Sequence, residues 1–208
     1  LIVALNYSIL PYEMIAKYPE VKNFVSLFLS AYIVIPVFNT DIAFSLCRKA
    51  IEKYLTQQIE IECENLPAIF SEKIPVFVSL KRGSQTRGCA GSFQSENGSF
   101  AKDLVHFSII AATQDFRYRP VDLQEMKEIK IQITIPEMPV EIHSIFSYNP
   151  EKEGLIVEKD GKQAVVLPGE AKTAAYALKM CLRNAGIDDN SNIRLFKFKA
   201  QIFIEEGK

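Results

Sequence analysis

Val76-Phe77-Val78-Ser79-Leu80-Lys81-Arg82-Gly83-Ser84-Gln85-Thr86-Arg87-Gly88-Cys89-Ala90-Gly91-Ser92-Phe93 decides the fold. Val76, Val78 and Leu80 alternate with Phe77, Ser79 and Lys81, the two-residue period of a strand with unlike faces. Gly83-Ser84 supplies turn chemistry, and a second extended run follows from Thr86 to Phe93, so the stretch reads as a β-hairpin. A second hairpin is legible at Gly154 to Glu158 and Gln163 to Leu167, because Asp160-Gly161 between them tolerates the positive φ values of a tight turn.

Helices lie between these extended runs. Thr40 or Asp41 can cap a helix running to about Gln57, with Ala43, Cys47, Ala50 and Tyr54 at helical spacing. Ser99 caps another through about Thr113, its seam formed by Leu104, Phe107, Ser108, Ala111 and Ala112. Asp122 and Glu125 have capping-box spacing ahead of a strand from Ile129 to Ile135. Ala171 to Ala185 predicts a helix stopped by Gly186, and Phe196 to Ile204 alternates as a half-buried strand. Ile59 to Glu64 alternates apolar and acidic residues and suits either a short edge strand or a loop. Hairpins interleaved with unevenly spaced helices predict an α+β fold with mainly antiparallel sheets, not a regular βαβ series.

Composition narrows the function classes. With 208 residues and 48% hydrophobic content the chain can bury a core without staples. A net charge of −1 gives no global basic field, which argues against nucleic acid as the main partner and makes any anion site local. Cys47, Cys63, Cys89 and Cys181 have neither disulfide nor zinc spacing, and the expectation is a reduced, cytoplasmic protein without a metal. Residues 1–40 differ from the rest: Phe24 to Phe38 is almost wholly apolar, yet shorter than the ~20 residues of a bilayer span and interrupted by Ser26, Ser30 and Pro36. A linker, a buried extension, a remnant of an upstream segment and a membrane segment compete there, and the folded domain is expected over residues 41–208.

Two segments exceed what packing requires. In Thr86 to Phe93, Gly88 and Gly91 flank Cys89 and would let a ligand approach the main chain. Arg87, two residues before Cys89, is expected on the same strand face, where a cation lowers a thiol pKa. The competing reading is a glycine bulge with a packed cysteine. In Asp115-Phe116-Arg117-Tyr118-Arg119-Pro120, two arginines around an aromatic ring can grip a carboxylate or phosphate. An Asp115–Arg117 ion pair holding the loop is equally compatible with that pattern. Arg87 and Arg117 are expected to converge on one small anionic or nucleotide-like ligand. His106, on a helix beside Val105 and Phe107, and His143 read as packed or surface residues rather than bases, and Glu125 as a helix-cap partner before a candidate acid.

At these segments the chain resembles the AMMECR family, named for the Alport-syndrome, midface-hypoplasia and elliptocytosis chromosomal region. Thr86 to Phe93 is similar to its Arg-Gly-Cys-hydrophobic-Gly signature, and Asp115 to Pro120 to its Asp-Pro-Arg-Phe-x-Pro signature. Gly154 to Val157, Leu167-Pro168 and Cys181 to Gly186 resemble further blocks, so the likeness spans about residues 41–206. Ala90, Phe116 and Gly169 depart from the family pattern. The resemblance implies two α+β subdomains sharing a cleft and points to Arg87, Gly88, Cys89, Gly91, Asp115 and Arg117. It also implies a Memo-like or radical-SAM protein as partner, since related domains are joined to the one or encoded beside the other. Two functions follow: a binding or accessory module for a small anionic ligand, or an enzyme using Cys89 as thiolate nucleophile.

Overall fold

The computed structural model describes residues 38–206, and most of the apolar stretch, including its reading as linker, extension or membrane segment, lies outside those residues. Among the described residues no helix is long and apolar enough to cross a membrane. Helix α1, Thr40–Gln57, is capped by Asn39, whose side chain accepts from the Asp41 and Ile42 amides, rather than by Thr40 or Asp41. Phe38, just before the cap, is buried edge-on against Phe100 and Phe203 at centroid distances of 5.0 and 4.9 Å. Gln58 closes α1 in the left-handed region, and the acidic run after it forms a loop, with Glu60 and Glu64 exposed.

The first hairpin forms as read, with β1 over Val76–Arg82, β2 over Gln85–Ser92 and Gly83 at φ +60°. Helix α2 spans Phe100–Thr113 with Ser99 as its cap. A single 3-10 turn over Glu125–Lys127 replaces the expected short helix. Asp122 accepts from the Glu125 amide, but Glu125 turns its own carboxylate away from the box, toward Arg87. Strands β3 (Ile129–Pro136), β4 (Val140–Ile142), β5 (Gly154–Lys159) and β6 (Lys162–Val166) follow. Helix α3 covers Ala174–Ala185 and starts three residues later than the apolar pattern suggested, because the Thr173 hydroxyl caps it. The final alternating run is two strands, β7 (Arg194–Phe198) and β8 (Ala200–Ile204), since the chain leaves one sheet for the other at Lys199.

Both sheets are antiparallel, with strand orders β2-β1-β3-β8 and β4-β7-β5-β6, giving an α+β fold. Alternation along the strands distributes the core. Val76, Val78 and Leu80 pack with α1 and α2, while Leu155, Val157 and Val166 pack with Ala177 and Cys181 of α3. Phe77 and Ile156 point the other way and meet Leu167 and Phe198 in a third cluster that joins the two sheets. The end strands β2 and β6 both border the cleft described next.

Candidate functional site

The register of β2 places its residues. Leu80 pairs with Gly88 and Lys81 with Thr86, so Arg87 is the extra residue of a β-bulge. A bulge re-aims a side chain, and the shared face expected for Arg87 and Cys89 is lost. Arg87 instead forks onto Glu125, with Nε donating to Oε1 at 2.5 Å and Nη2 to Oε2 at 3.0 Å. Both glycines of the segment are accounted for by packing. A Cβ on Gly88 would lie 2.0 Å from the Ala111 carbonyl oxygen of α2, and one on Gly91 would lie 2.4 Å from the Phe77 Cα.

Cys89 faces Ser79 across the ladder, and the Ser79 hydroxyl donates to its sulfur at 3.3 Å. Burial, followed by the Glu170 carboxylate, pushes the thiol up to about 12, against weaker opposite effects of Ser79, Arg117 and Lys81. The depressed pKa expected beside Arg87 is therefore not found; the cation that was to lower it is paired elsewhere.

Asp115 organises the other half of the site. Its Oδ2 accepts from the Cys89 amide at 2.9 Å and from Arg117 Nη2 at 2.6 Å. Its Oδ1 accepts from the Arg117 amide at 3.1 Å and from Arg117 Nε at 2.9 Å. These bonds occupy the lone pairs a carboxylate offers, which suits an orienting group better than a proton acceptor. Burial opposes the charge, but the hydrogen bonds from Arg117 outweigh it and hold Asp115 below the ordinary carboxylate range. Those same bonds raise the Arg117 pKa, so its charge is fixed. Nη1 and one Nη2 hydrogen of Arg117 have no acceptor among the described residues.

Beside these groups opens a cavity of about 260 Å³. It is lined by Cys89–Gly91 of β2, Ile110 and Gln114–Arg117 at and after the end of α2, Gln163–Val165 of β6, and Glu170. Arg87 does not line it. The two arginines nonetheless share Tyr118, whose ring centroid lies 5.7 Å from the Arg87 guanidinium carbon and 5.4 Å from that of Arg117. Among the described residues, Arg117 is thus the lining cation with spare donors, and the expected pairing with Arg87 at the cleft is not seen.

Sequence reasoning missed Glu170 and read Glu125 as a helix-cap partner rather than as the partner of Arg87. Glu125, buried, neutralises Arg87. Glu170 bridges the sheets: it accepts from the Thr86 hydroxyl at 2.8 Å, from the Leu167 amide at 3.0 Å, and pairs with Lys81 at 3.4 Å. Neither is signalled by local spacing, since their partners lie 38 and 84 residues away in the chain. His106 is half-buried with its ring against Phe107, and His143 lies just after β4; neither lines the cleft. Among the described residues no group of three or more His, Cys, Asp or Glu could hold a metal ion.

Comparison with known proteins places these segments in a wider set. The AMMECR1 family profile matches residues 44–203. A protein of Pyrococcus furiosus is 32% identical over 181 residues, covering 77% of this chain and 85% of the relative. One from Methanothermobacter thermautotrophicus is 29% identical over 177 residues, covering 78% and 92%. The crystal structure of an uncharacterized protein from Pyrococcus horikoshii is similar at a TM-score of 0.71 with 26% identity, covering 83% of this chain and 95% of that one.

Proposed function

This chain belongs to the AMMECR1 family, and from that premise we propose that the domain is a binding module whose cleft beside Cys89 holds a small ligand by a carboxylate or phosphate group. Arg117 is the anion contact, and Asp115 is the residue that orients it. One observation carries this reading: Arg117 lines the cavity while its guanidinium is locked in place by a buried carboxylate and keeps N–H donors unused among the described residues. Arginine forks suit bidentate oxyanion recognition, and a group already immobilised loses little entropy when the ligand arrives. The rest of the cleft is charge-balanced, because Glu170 is paired with Lys81. A cavity of about 260 Å³ lies at the small end of ligand sites and suits a metabolite-sized group rather than a whole dinucleotide.

The enzyme reading with Cys89 as nucleophile has less support. A thiol raised to about 12 is almost wholly protonated at neutral pH, and its hydrogen-bond partner is a serine, not a base. An accessory role beside a Memo-like or radical-SAM protein fits a module of this kind and belongs to the proposal.

Thermal denaturation of the full chain at low salt, with acetate, succinate, inorganic phosphate and adenosine monophosphate, tests the reading. A midpoint that rises with ligand concentration in the wild type and in Arg87→Lys, but not in Arg117→Lys, is expected. Equal shifts in all three proteins would point to surface binding and overturn it.

A further inference from the structure

Strand β2 is the end strand of its sheet, so one side of its main chain has no ladder partner. The Cys89 amide donates to the Asp115 carboxylate, which fixes that side as the one facing the cleft. Strand alternation then puts the N–H and C=O of Gly91 on the same open edge, about 7 Å further along. No hydrogen bond from outside the ladder reaches Gly91 among the described residues. The carboxylate that caps Cys89 also holds Arg117, so a fixed cation and an open strand edge lie side by side.

Apolar surface completes the arrangement. Phe116 is 81% exposed although it lines the cavity, with Ala90 and Ile110 also on its wall. An exposed aromatic ring at a cleft mouth is the kind of group that anchors a ligand side chain. The cavity volume of about 260 Å³ has room for the end of a chain.

We propose that the cleft receives the carboxyl terminus of an extended peptide, its carboxylate on Arg117, its last amide groups on the Gly91 edge of β2, and its terminal apolar side chain against Phe116. Main-chain pairing to an open edge supplies affinity, and the arginine makes the site select an end. The inference rests on the reading of Arg117 as an anion contact and adds the chemical class of what carries the anion.

Calorimetric titration of the full chain with acetyl-Ala-Ala-Leu separates the two claims. The comparison set is its carboxamide, the form N-methylated at the last amide, acetyl-Ala-Ala-Gly, acetate and inorganic phosphate. The free acid binds best, and the carboxamide and the N-methyl form each weaken binding about tenfold, the effect of one hydrogen bond to a charged or edge group. Arg117→Lys removes the preference for acid over amide. Phe116→Ser, at an exposed position that does not threaten folding, removes the preference for leucine over glycine at the last residue. Equal binding of acid and amide overturns the proposal. Acetate or phosphate binding as tightly as the peptide overturns the peptide assignment and leaves the anion contact standing. Binding of neither overturns both.

Discussion

At the scale of single residues, Cys89 and Arg117 divide the roles that their segments suggest. The bulge at Arg87 sends its guanidinium to Glu125, and the thiol is left with Ser79 and burial. Burial pushes the thiol up to about 12, so Cys89 stays protonated at neutral and mildly alkaline pH. Mass-mapped alkylation of the native protein from pH 7 to 9 is therefore expected to label the half-buried Cys63 first and Cys89 far more slowly, with Cys47 and Cys181 protected. Cys89 labelling faster than Cys63, with a midpoint below the ~8.5 of a free thiol, would restore the nucleophile reading. The motif residues were legible in the sequence because glycine, cysteine and arginine are concentrated in one short run, although packing alone requires both glycines. Their pairings were not, because strict alternation assumes no bulge and the neutralising carboxylates Glu125 and Glu170 come from distant segments.

At the scale of elements, the hairpins and the helices over Thr40–Gln57 and Phe100–Thr113 were readable because turn residues and apolar period agreed there. The exceptions are places where tertiary context decides. Phe196 to Ile204 alternates without a break, yet the two sheets share it as β7 and β8. Glu125 had capping spacing, but the half-buried Arg87 guanidinium competes for its carboxylate more strongly than a backbone amide does. Gly88 is where an element contact can be tested. The α2 backbone lies so close to β2 that Gly88→Ala must displace a carbonyl rather than a flexible side chain. A loss of about 1–3 kcal/mol in chemical denaturation is expected, with Ser84→Ala, at an exposed position of the neighbouring turn, as the control. A neutral Gly88→Ala would mean that helix and strand are not in contact there.

At the scale of the molecule, the domain boundary and the cleft carry the remaining claims. The sequence suggested a folding unit from residue 41, but Phe38 is buried among aromatic rings and Asn39 caps α1. A chain of residues 38–208 is expected to fold, and one of residues 41–208 to be less stable by about 3–5 kcal/mol for the lost phenylalanine and about 1 kcal/mol for the cap. Equal midpoints in urea would show that neither contributes. The cleft between β2 and β6 could be inferred only as a consequence of resemblance, because which strands lie at the sheet ends depends on pairings across the whole chain.

The central claim is that Arg117, oriented by Asp115, is the anion contact of this cleft. Its most direct measurement is a two-dimensional amide spectrum of the full chain titrated with acetate and with phosphate at low salt. Saturable shifts confined to the Arg117 Nε–H and the amides of Cys89 and Gly91, and absent from Arg117→Lys, are the predicted result. Shifts that do not saturate, or that persist unchanged in Arg117→Lys, contradict it.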